Sequence, residues 1–513
     1  MKRRKQIVLN TFRRAFPYFL LVFLVGVFCY LCLNIHRISV PDSDFFLYVD
    51  EGRKFLFNPF AGIVTSPIYS VIVYLFERFL PIKYPGVTGG IIFNITCFTV
   101  SLYFVWLLSK RWMGWFAIIP LVLMAVNPLA IVVHLQPLNL PLATMLVLMA
   151  IYYDGKQPRL SYGLGIVAFF VRPEMAVIFV VIFIRDLAVQ KRLAHPVLLL
   201  VAVVLIALWY FRPLTAPQNN DYLAEIIARR SEIPNVAFLR NSFAIAPFLT
   251  LSQDSINDAF NPLRPGADTN VIAALSLVWI LCGVAYSYKN RLSQPLFIFG
   301  FVVFYSLIHV LFPDRVLRYS YPITPFVYML LFWPVIMLNG HPARAQKIVS
   351  IGAVSIIFMV VILSVCLNGS SYIETQRWIK GEKRFAAEWF NAHVTSPTVV
   401  YAFEFWVSRY YTDNKNVLYA DTENHRSWSN DLCTYTQNIY VVIDSQTEEK
   451  VYYFDSVGGI NYFVRIHQSK EAPQYLLPIT RITAGRRWAE IYEVDKTKEH
   501  WCEQLKSIAV KGI

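Results

Sequence analysis

Long apolar runs are the sequence feature that most constrains how this chain can fold. Between residues 17 and 367 they alternate with short polar breaks, and from residue 368 onward charged residues return at ordinary density. Only 16% of the residues are charged, whereas a soluble domain has about 25%. Because about 20 apolar residues can cross a bilayer, the pattern predicts an α-helical polytopic membrane domain over 1–368 and a soluble domain over 369–513.

The apolar runs predict about eleven transmembrane helices. Their expected bounds are 17–35, 88–108, 115–133, 137–153, 160–172, 174–186, 195–213, 270–288, 295–312, 321–338 and 347–367. The two segments on either side of residue 173 are short, so they need flanking residues or a thinned bilayer to span. No small-residue cleavage site follows the first run, so we expect an uncleaved anchor rather than a signal peptide.

Lysine and arginine residues orient these helices. A basic cluster precedes the first span, and alternate breaks after it each carry at least two basic residues. These residues are Lys110 and Arg111, Lys156 and Arg159, Lys191 and Arg192, Lys289 and Arg291, and Arg344 and Lys347. The positive-inside rule therefore predicts a plasma (inner) membrane protein with a cytoplasmic N-terminus, and with loops 36–87 and 214–269 and the C-terminal domain extracytoplasmic.

The net charge of +14 is explained by the same residues, which mark span ends and contact lipid headgroups. We therefore expect membrane lipids, and no nucleic acid, as partners. Residues 66–80 are apolar enough to suggest another span, but they contain Glu77 and Arg78 and would invert every later loop. We interpret this segment as an interfacial or re-entrant helix on the outer face.

The C-terminal domain has the pattern of a small α/β domain. Amphipathic spacing predicts a helix over 376–391, and β-branched or aromatic runs predict strands at 398–402, 417–420, 439–443 and 488–493. It contains neither a Gly-rich phosphate loop nor a nucleophile elbow, which favours a scaffold or acceptor-docking role over a catalytic one. Cys433 and Cys502 could form a disulfide if this domain faces an oxidising compartment.

Carboxylates cluster immediately after the first span. Asp42 and Asp44 precede an aromatic run, close to the expected membrane surface. Such surroundings raise a carboxyl pKa and suit a general base, although a solvated loop start gives the same pattern. The sequence therefore presents Asp44, and next Asp42, as candidate catalytic residues.

Charged residues also interrupt two later apolar regions. Arg172 and Glu174 flank a proline in the middle of an apolar stretch, where charge is costly and by default suggests function, although a structural ion pair closing a helical hairpin is the alternative. Arg315 and Arg318 lie on the expected outer face, against the positive-inside trend. Arginine binds phosphate oxygens well, and headgroup contact is the alternative explanation.

His134 lies at another expected outer break and is a further candidate for substrate binding, although a lone histidine is more often structural. The sequence has no cluster of His, Cys and Asp with metal-ligand spacing. A divalent metal would therefore have to be held by dispersed carboxylates, and the metal requirement stays open.

These motifs resemble, in order, those of the GT-C superfamily of membrane glycosyltransferases, particularly the lipid A aminoarabinose transferases and protein mannosyltransferases. The matching positions are Asp44 with Tyr48, the Pro-led helix from Ser66, Arg172-Pro173-Glu174, and Arg318-Tyr319 followed by Pro322 and Pro325. The chain departs from many members at residues 134–139, where a second acidic residue is missing.

The resemblance implies a polyprenyl-phosphate-linked sugar donor and transfer to a glycan, lipid or protein hydroxyl on the outer face. We expect Asp44 to be the base of a one-step transfer, which implies inversion at the sugar, and Tyr48, Arg172, Glu174, Arg315, Arg318, Tyr319 and His134 to bind substrate. A lipid-linked saccharide flippase or transporter is the alternative, and a membrane-anchored scaffold is a third reading. The sugar, the acceptor and the oligomeric state are not determined by the sequence.

Overall fold

The structure is a computed structural model. It describes residues 15–30, 32, 43–57, 66–154, 156–185, 204, 237–249, 269–290, 292–311, 317–339, 344–377, 381–402, 405–420, 434–445, 474–484, 487–498 and 500–502. The chain divides into two compact units. The first contains Met1–Asn34, Leu47–Asn257 and Pro262–Ile373, and the second contains Ile35–Phe46, Asp258–Asn261 and Glu374–Ile513.

The described part of the first unit is helical. Its α-helices are α1 (Ala15–Tyr30), α2 (Ser43–Phe57, whose first residues belong to the second unit), α3 (Pro67–Phe79), α4 (Pro85–Met113), α5 (Ile118–Val126), α6 (Pro128–Leu135), α7 (Leu140–Tyr153), α8 (Pro158–Val171), α9 (Val177–Arg185), α10 (Ala237–Arg240), α11 (Ala246–Phe248), α12 (Thr269–Lys289), α13 (Ser293–Leu311), α14 (Thr324–Asn339) and α15 (Arg344–Arg377). Short 3-10 turns lie at Gly114–Ala117, Pro173–Ala176 and Leu317–Ile323.

Three of these helices are long and apolar enough to cross a membrane: Pro85–Arg111, Thr269–Lys289 and Gly352–Glu374. The pair Gly114–Val126 and Pro128–Leu135, bent by 51°, would make a fourth if it forms one broken span. Helices lie at ten of the eleven predicted segments, but most are shorter than a full crossing, so the count of eleven spans is not confirmed. The segment 195–213 lies almost wholly outside the described residues.

Apolar side chains cover the outside of the two least buried spans. The helices Thr269–Lys289 and Gly352–Glu374 each contain an apolar stretch of 18 residues. Only 22% of that stretch is buried within the protein in each helix. Leu275 and Leu363 are among the large apolar side chains left exposed. Extended exposed apolar faces are unfavourable in water and are expected where lipid is the solvent, so the chain is an integral membrane protein.

The broken span turns at Asn127-Pro128. Proline at the first position of α6 lacks an N–H, and the Asn127 side chain caps this helix by accepting from Leu129 N at 2.8 Å. The same amide donates to the Ala246 carbonyl and the Tyr328 hydroxyl, at 2.9 and 2.8 Å. One buried asparagine therefore supplies the hydrogen bond that caps α6 and also joins three segments that are distant in sequence.

Residues 66–80 form α3, a separate 13-residue helix, which begins at Pro67. It packs closely on α2, because a Cβ at Gly52 would collide with the backbone of Ser70. Its Glu77 carboxylate accepts from Gly86 N at 2.7 Å, which caps the start of the first long span. The helix is not among those long enough to span; its position on the outer face stays a prediction.

The second unit contains a five-stranded mixed sheet. Its strands are β1 (Thr398–Ala402), β2 (Val417–Ala420), β3 (Asn438–Asp444), β4 (Leu476–Ala484) and β5 (Arg487–Val494), in the order β2-β1-β3-β5-β4. The first three are parallel, and β5 is antiparallel to both of its neighbours. Two helices accompany the sheet: α16 (Gly381–His393) and α17 (Phe405–Tyr411).

Both faces of the sheet are covered. Val399, Val441 and Tyr492 are among the residues that form one apolar cluster, while Val400 and Phe390 belong to a second cluster that contains α16. Two of the predicted strands have the observed bounds, whereas β4 was not predicted. The division of the chain at 368 falls inside α15, which continues to Arg377.

Part of the predicted outer loop 214–269 is helical. Between Ala237 and Phe248 the chain forms α10, a π-helical turn at Asn241–Ile245 and α11, and the π turn is fully buried. The placement of this segment on the outer face stays a prediction. The π-helical geometry is uncommon and often occurs where a side chain must be redirected.

Candidate functional site

The site is built around the break between α8 and the following 3-10 turn. Pro173 has no N–H to continue the helix, and Arg172 is extended, with φ −149° and ψ 120°. The carbonyl of Val171 accepts instead from Ser66 Oγ at 2.7 Å and from Asn139 Nδ2 at 3.2 Å. Side chains from two other segments therefore fix the backbone that carries Arg172.

The Arg172 guanidinium is held in place by two partners. It forms an ion pair with Glu174, in which Nε and Nη2 both contact the same carboxylate oxygen. Its Nη1 donates to Asn139 Oδ1 at 3.0 Å. The side chains of Arg172 and Glu174 are 14% and 12% exposed. This charged group is therefore oriented by the protein before any ligand arrives.

Two arginines share one aromatic ring. The guanidinium carbons of Arg172 and Arg318 lie 5.0 and 5.5 Å from the ring centroid of Tyr319, which places the two carbons within about 11 Å of each other. Arg318 comes from the 3-10 turn before α14 and is half-buried, like Tyr319 itself. Two guanidiniums and the Glu174 carboxylate therefore belong to one cluster around Tyr319.

A second aromatic layer supports Tyr319. The Tyr305 hydroxyl donates a hydrogen bond to the Tyr319 carbonyl, with the two oxygens 3.1 Å apart. His309 stacks on Tyr319 with centroids 5.6 Å apart and planes 19° apart, and on Phe238 at 4.6 Å and 16°. Glu174 also interacts electrostatically with His309. Residues from α10, α13 and the 3-10 turns Pro173–Ala176 and Leu317–Ile323 therefore meet at one place.

Tyr48 reaches the same cluster from α2. Its ring packs edge-on against Tyr69, with centroids 5.4 Å apart, and it interacts electrostatically with Arg172. Tyr69 donates to Asn94 Oδ1 at 3.3 Å, which ties this aromatic pair to the long span α4. The structure thus brings together Tyr48, Arg172 and Arg318, three residues that the sequence placed in separate outer segments.

The candidate bases are less completely described. Asp44 lies in α2, one helical turn before Tyr48, and its side chain is not described. Asp42 and Arg315 lie outside the described residues. The predicted outer loop 36–87 therefore contains a helix, Ser43–Phe57, that carries Asp44. The role of Asp44 as a base stays a prediction.

His134 lies in a different, closed environment. It is fully buried, its Nδ1 is 2.5 Å from the Ala130 carbonyl, and its Nε2 is 3.3 Å from the Tyr321 hydroxyl. Its ring also packs edge-on against Phe28 and Phe98. Both ring nitrogens therefore have protein partners, which supports a packing role; binding of substrate by His134 stays a prediction.

Tyr305 and His309 were not singled out from the sequence. They are four residues apart on α13, so they share one helix face. A histidine in an apolar segment was the available signal, since an ionisable residue at membrane depth is costly. In the described residues, no group of three or more His, Cys, Asp and Glu is arranged to hold a metal ion.

The arrangement is suited to binding an anion with several oxygen atoms. Two guanidiniums present planar sets of N–H donors, and one is already oriented by Asn139 and Glu174. The Arg172 and Glu174 side chains are mostly buried, and electrostatic interactions are stronger where less water surrounds the charges. Preorganised positive charge of this kind stabilises negative charge that develops during a reaction.

No protein-family model matches the sequence, and no curated protein matches it in sequence. Among solved structures, the chain is similar to the crystal structure of ArnT from Cupriavidus metallidurans bound to undecaprenyl phosphate. The TM-score is 0.55 at 10% identity, over 92% of this chain and 97% of that one. The chain therefore has an ArnT-like fold, and the resemblance to GT-C glycosyltransferases seen in the sequence is confirmed at the level of fold.

The chain is also similar to the cryo-EM structure of the arabinofuranosyltransferase AftD from Mycobacteria. In that comparison the TM-score is 0.43 at 11% identity, over 92% of this chain and 40% of that one.

Proposed function

We propose that this chain is a membrane glycosyltransferase that moves a sugar from a polyprenyl-phosphate donor to an acceptor hydroxyl on the extracytoplasmic face. The observation that carries the proposal is the convergence of Arg172 and Arg318 on Tyr319. In an ArnT-like fold, such a cluster suits the lipid phosphate that leaves during transfer. The solved ArnT neighbour was crystallised with undecaprenyl phosphate, which supports the same ligand class.

The proposed reaction is a single displacement. The acceptor oxygen forms a bond to the anomeric carbon while the bond from that carbon to the phosphate oxygen breaks. The acceptor's proton passes to Asp44, and the electron pair of the broken bond stays on the lipid phosphate. Arg172 and Arg318 stabilise that growing charge, and attack from the side opposite the phosphate inverts the anomeric carbon.

The orientation of the chain has independent support. Cys502, in the second unit, is disulfide-bonded, whereas the other cysteines in the described residues are free. Cys433, the partner expected from the sequence, lies outside those residues. Disulfides persist in oxidising compartments, so a bonded Cys502 supports an extracytoplasmic C-terminal domain, as does the distribution of basic residues.

The proposal is tested with membranes that contain the full chain and a polyprenyl-phosphate sugar labelled in the sugar. We expect covalent transfer of the label, and we expect Asp44→Asn to lower the rate by about 10²–10⁴-fold, the usual contribution of a general base. The matched control is Asp50→Asn. Asp50 lies on the same helix, is exposed and pairs with Lys54 at 2.7 Å, so its loss should leave the rate nearly unchanged.

Near-full activity of Asp44→Asn, with normal expression, would remove Asp44 from its proposed role and make Asp42 the next candidate. Movement of the labelled lipid across the membrane without covalent transfer would favour a flippase or transporter over a glycosyltransferase. Equal losses in the Asp44 and Asp50 variants would indicate damage to the helix rather than loss of a base.

A further inference from the structure

His134 and His309 are both buried in the described part of the membrane unit, but their ring nitrogens differ in what they contact. Both nitrogens of His134 have protein partners. His309 is 6% exposed, and its Nε2 has no hydrogen-bond partner in the part of the chain that the structure describes. A buried polar atom without a partner destabilises the fold. This nitrogen is therefore a candidate for binding a group that the chain itself does not supply.

The plane of the His309 ring is fixed by its neighbours. Phe238 and Tyr319 both stack on it with planes within 20° of parallel, and Tyr305 packs on it with centroids 4.6 Å apart. Stacking holds the faces of the imidazole and leaves its nitrogen-bearing edge to make hydrogen bonds. The direction in which Nε2 points is therefore set by packing rather than by a hydrogen bond.

The electrostatic neighbours of His309 identify the kind of ligand. It interacts with Glu174 and Arg172, and its stacking partner Tyr319 is the ring on which both arginines lie. The imidazole stacks on the ring that carries both guanidiniums, so its Nε2–H can add a hydrogen-bond donor to this cluster. Guanidinium and imidazole N–H groups both donate well to phosphate oxygens.

We propose that His309 is a phosphate-binding residue, whose Nε2–H donates a hydrogen bond to a phosphate oxygen of the polyprenyl-phosphate ligand. This inference rests on the proposed function, because it names a further contact for the same leaving group. No proton is transferred by His309: the acceptor's proton goes to Asp44, and the phosphate keeps the electron pair. The hydrogen bond strengthens as the phosphate gains charge.

The test is titration of the purified full chain with undecaprenyl phosphate. His309→Phe keeps an aromatic ring for Phe238 and Tyr319 to stack on but removes the donor. We expect it to bind the lipid about 10–100-fold more weakly, since a hydrogen bond to a charged group contributes about 1.5–3 kcal/mol. His393→Phe, the matched control, should change the affinity by less than about threefold, because His393 is exposed on α16 and stacks on Trp389, with planes 15° apart, outside this cluster.

A second pair of variants separates the donor from the shape of the side chain. His309→Gln and His309→Met are similar in size, but only glutamine can donate, so we expect Gln to bind at least about fivefold more tightly than Met. Equal affinities of wild type and His309→Phe, or of the Gln and Met variants, would overturn the proposal for His309. If wild type itself does not bind undecaprenyl phosphate, the proposed function fails together with this inference.

Discussion

Two buried ion pairs, one in each unit, differ in how completely the protein closes them. Lys383 and Asp444 lie 2.7 Å apart in the C-terminal unit, and each side chain is only 1% exposed. Arg172 and Glu174 in the membrane unit are more than ten times as exposed. The first pair, called here the closed pair, has the burial expected of a structural element. The second, the open pair, is partly exposed and belongs to the cluster that also contains Arg318. The difference indicates which pair is available to a ligand.

Loss of the closed pair should have the largest effect on stability. Lys383→Met removes the cation that lies 2.7 Å from the buried Asp444 carboxylate, and breaking such a pair typically costs about 3–5 kcal/mol. Hydrogen exchange of the β3 amides in the full chain should therefore become at least about 100-fold faster. The control is Arg384→Met, on the next residue, whose pair with Glu388 is partly exposed and should contribute less than about 0.5 kcal/mol. Similar exchange in both variants would show that the closed pair is not structural.

Loss of the open pair should affect activity more than stability. Arg172→Gln alone leaves Glu174 without its partner, so the informative variant is Arg172→Gln with Glu174→Gln. We expect this double variant to unfold near the wild-type temperature and to transfer sugar about 10²–10³-fold more slowly, because a charge-stabilising donor is lost. A double variant with normal transfer would contradict the assignment of this pair to the site.

Protonation next to the closed pair should make the C-terminal unit sensitive to pH. Burial, together with the neighbouring Asp444 charge, raises the pKa of Glu382 to about 7, against the opposing effects of Lys383 and Arg487. The folded state then holds this proton more tightly than the unfolded state. Its stabilising contribution is complete below the ordinary glutamate pKa, and it is lost as pH rises towards 7.

Glu382→Gln removes this dependence. Relative to wild type, the variant should gain on the order of 2–3 kcal/mol between pH 5 and pH 8, measured by hydrogen exchange corrected for the intrinsic rate. The double variant at Arg172 and Glu174 is the control, because it should not change how the stability of the C-terminal unit depends on pH. Parallel stability curves for Glu382→Gln and wild type would contradict the shifted pKa.

The smallest expected effect comes from a change in the hydrogen bonds that hold the backbone next to Arg172. Ser66→Ala removes one of two hydrogen bonds to the Val171 carbonyl, and Asn139 still supplies the other. We expect a loss of about 1 kcal/mol in unfolding free energy and a transfer rate within about twofold of wild type. Thermal unfolding and the labelled-sugar assay measure the two quantities. A large loss of activity without loss of stability would give Ser66 a direct role that its contacts do not suggest.

Much of the fold could be predicted from local pattern. The strands at 398–402 and 417–420 have the observed bounds because β-branched and aromatic runs specify them without help from distant residues. Strand β4 was missed because Pro478 interrupts its pattern, and the structure has a register irregularity between Pro478 and Thr480. The helical turn at Asn241–Ile245 was missed because its segment is flanked by polar, proline-containing sequence.

The site was only partly predictable. Arg172 and Arg318 could be identified because a charged residue in an apolar stretch is energetically costly and usually has a function. Their meeting at Tyr319 depends on how α8, α13 and the last 3-10 turn pack, which a local pattern does not contain. The different environments of His134 and His309 follow from packing in the same way, since each is a single histidine in an apolar segment.

The most direct test of the central claim is mass spectrometry of cell-envelope glycans from three strains. They carry the wild-type gene, a deletion, and a deletion complemented with the Arg172→Gln and Glu174→Gln double variant. If the open cluster binds the lipid phosphate during transfer, one envelope component should lack a single sugar mass in the second and third strains. Unchanged glycans in the deletion strain, or full restoration by the double variant, would contradict the account.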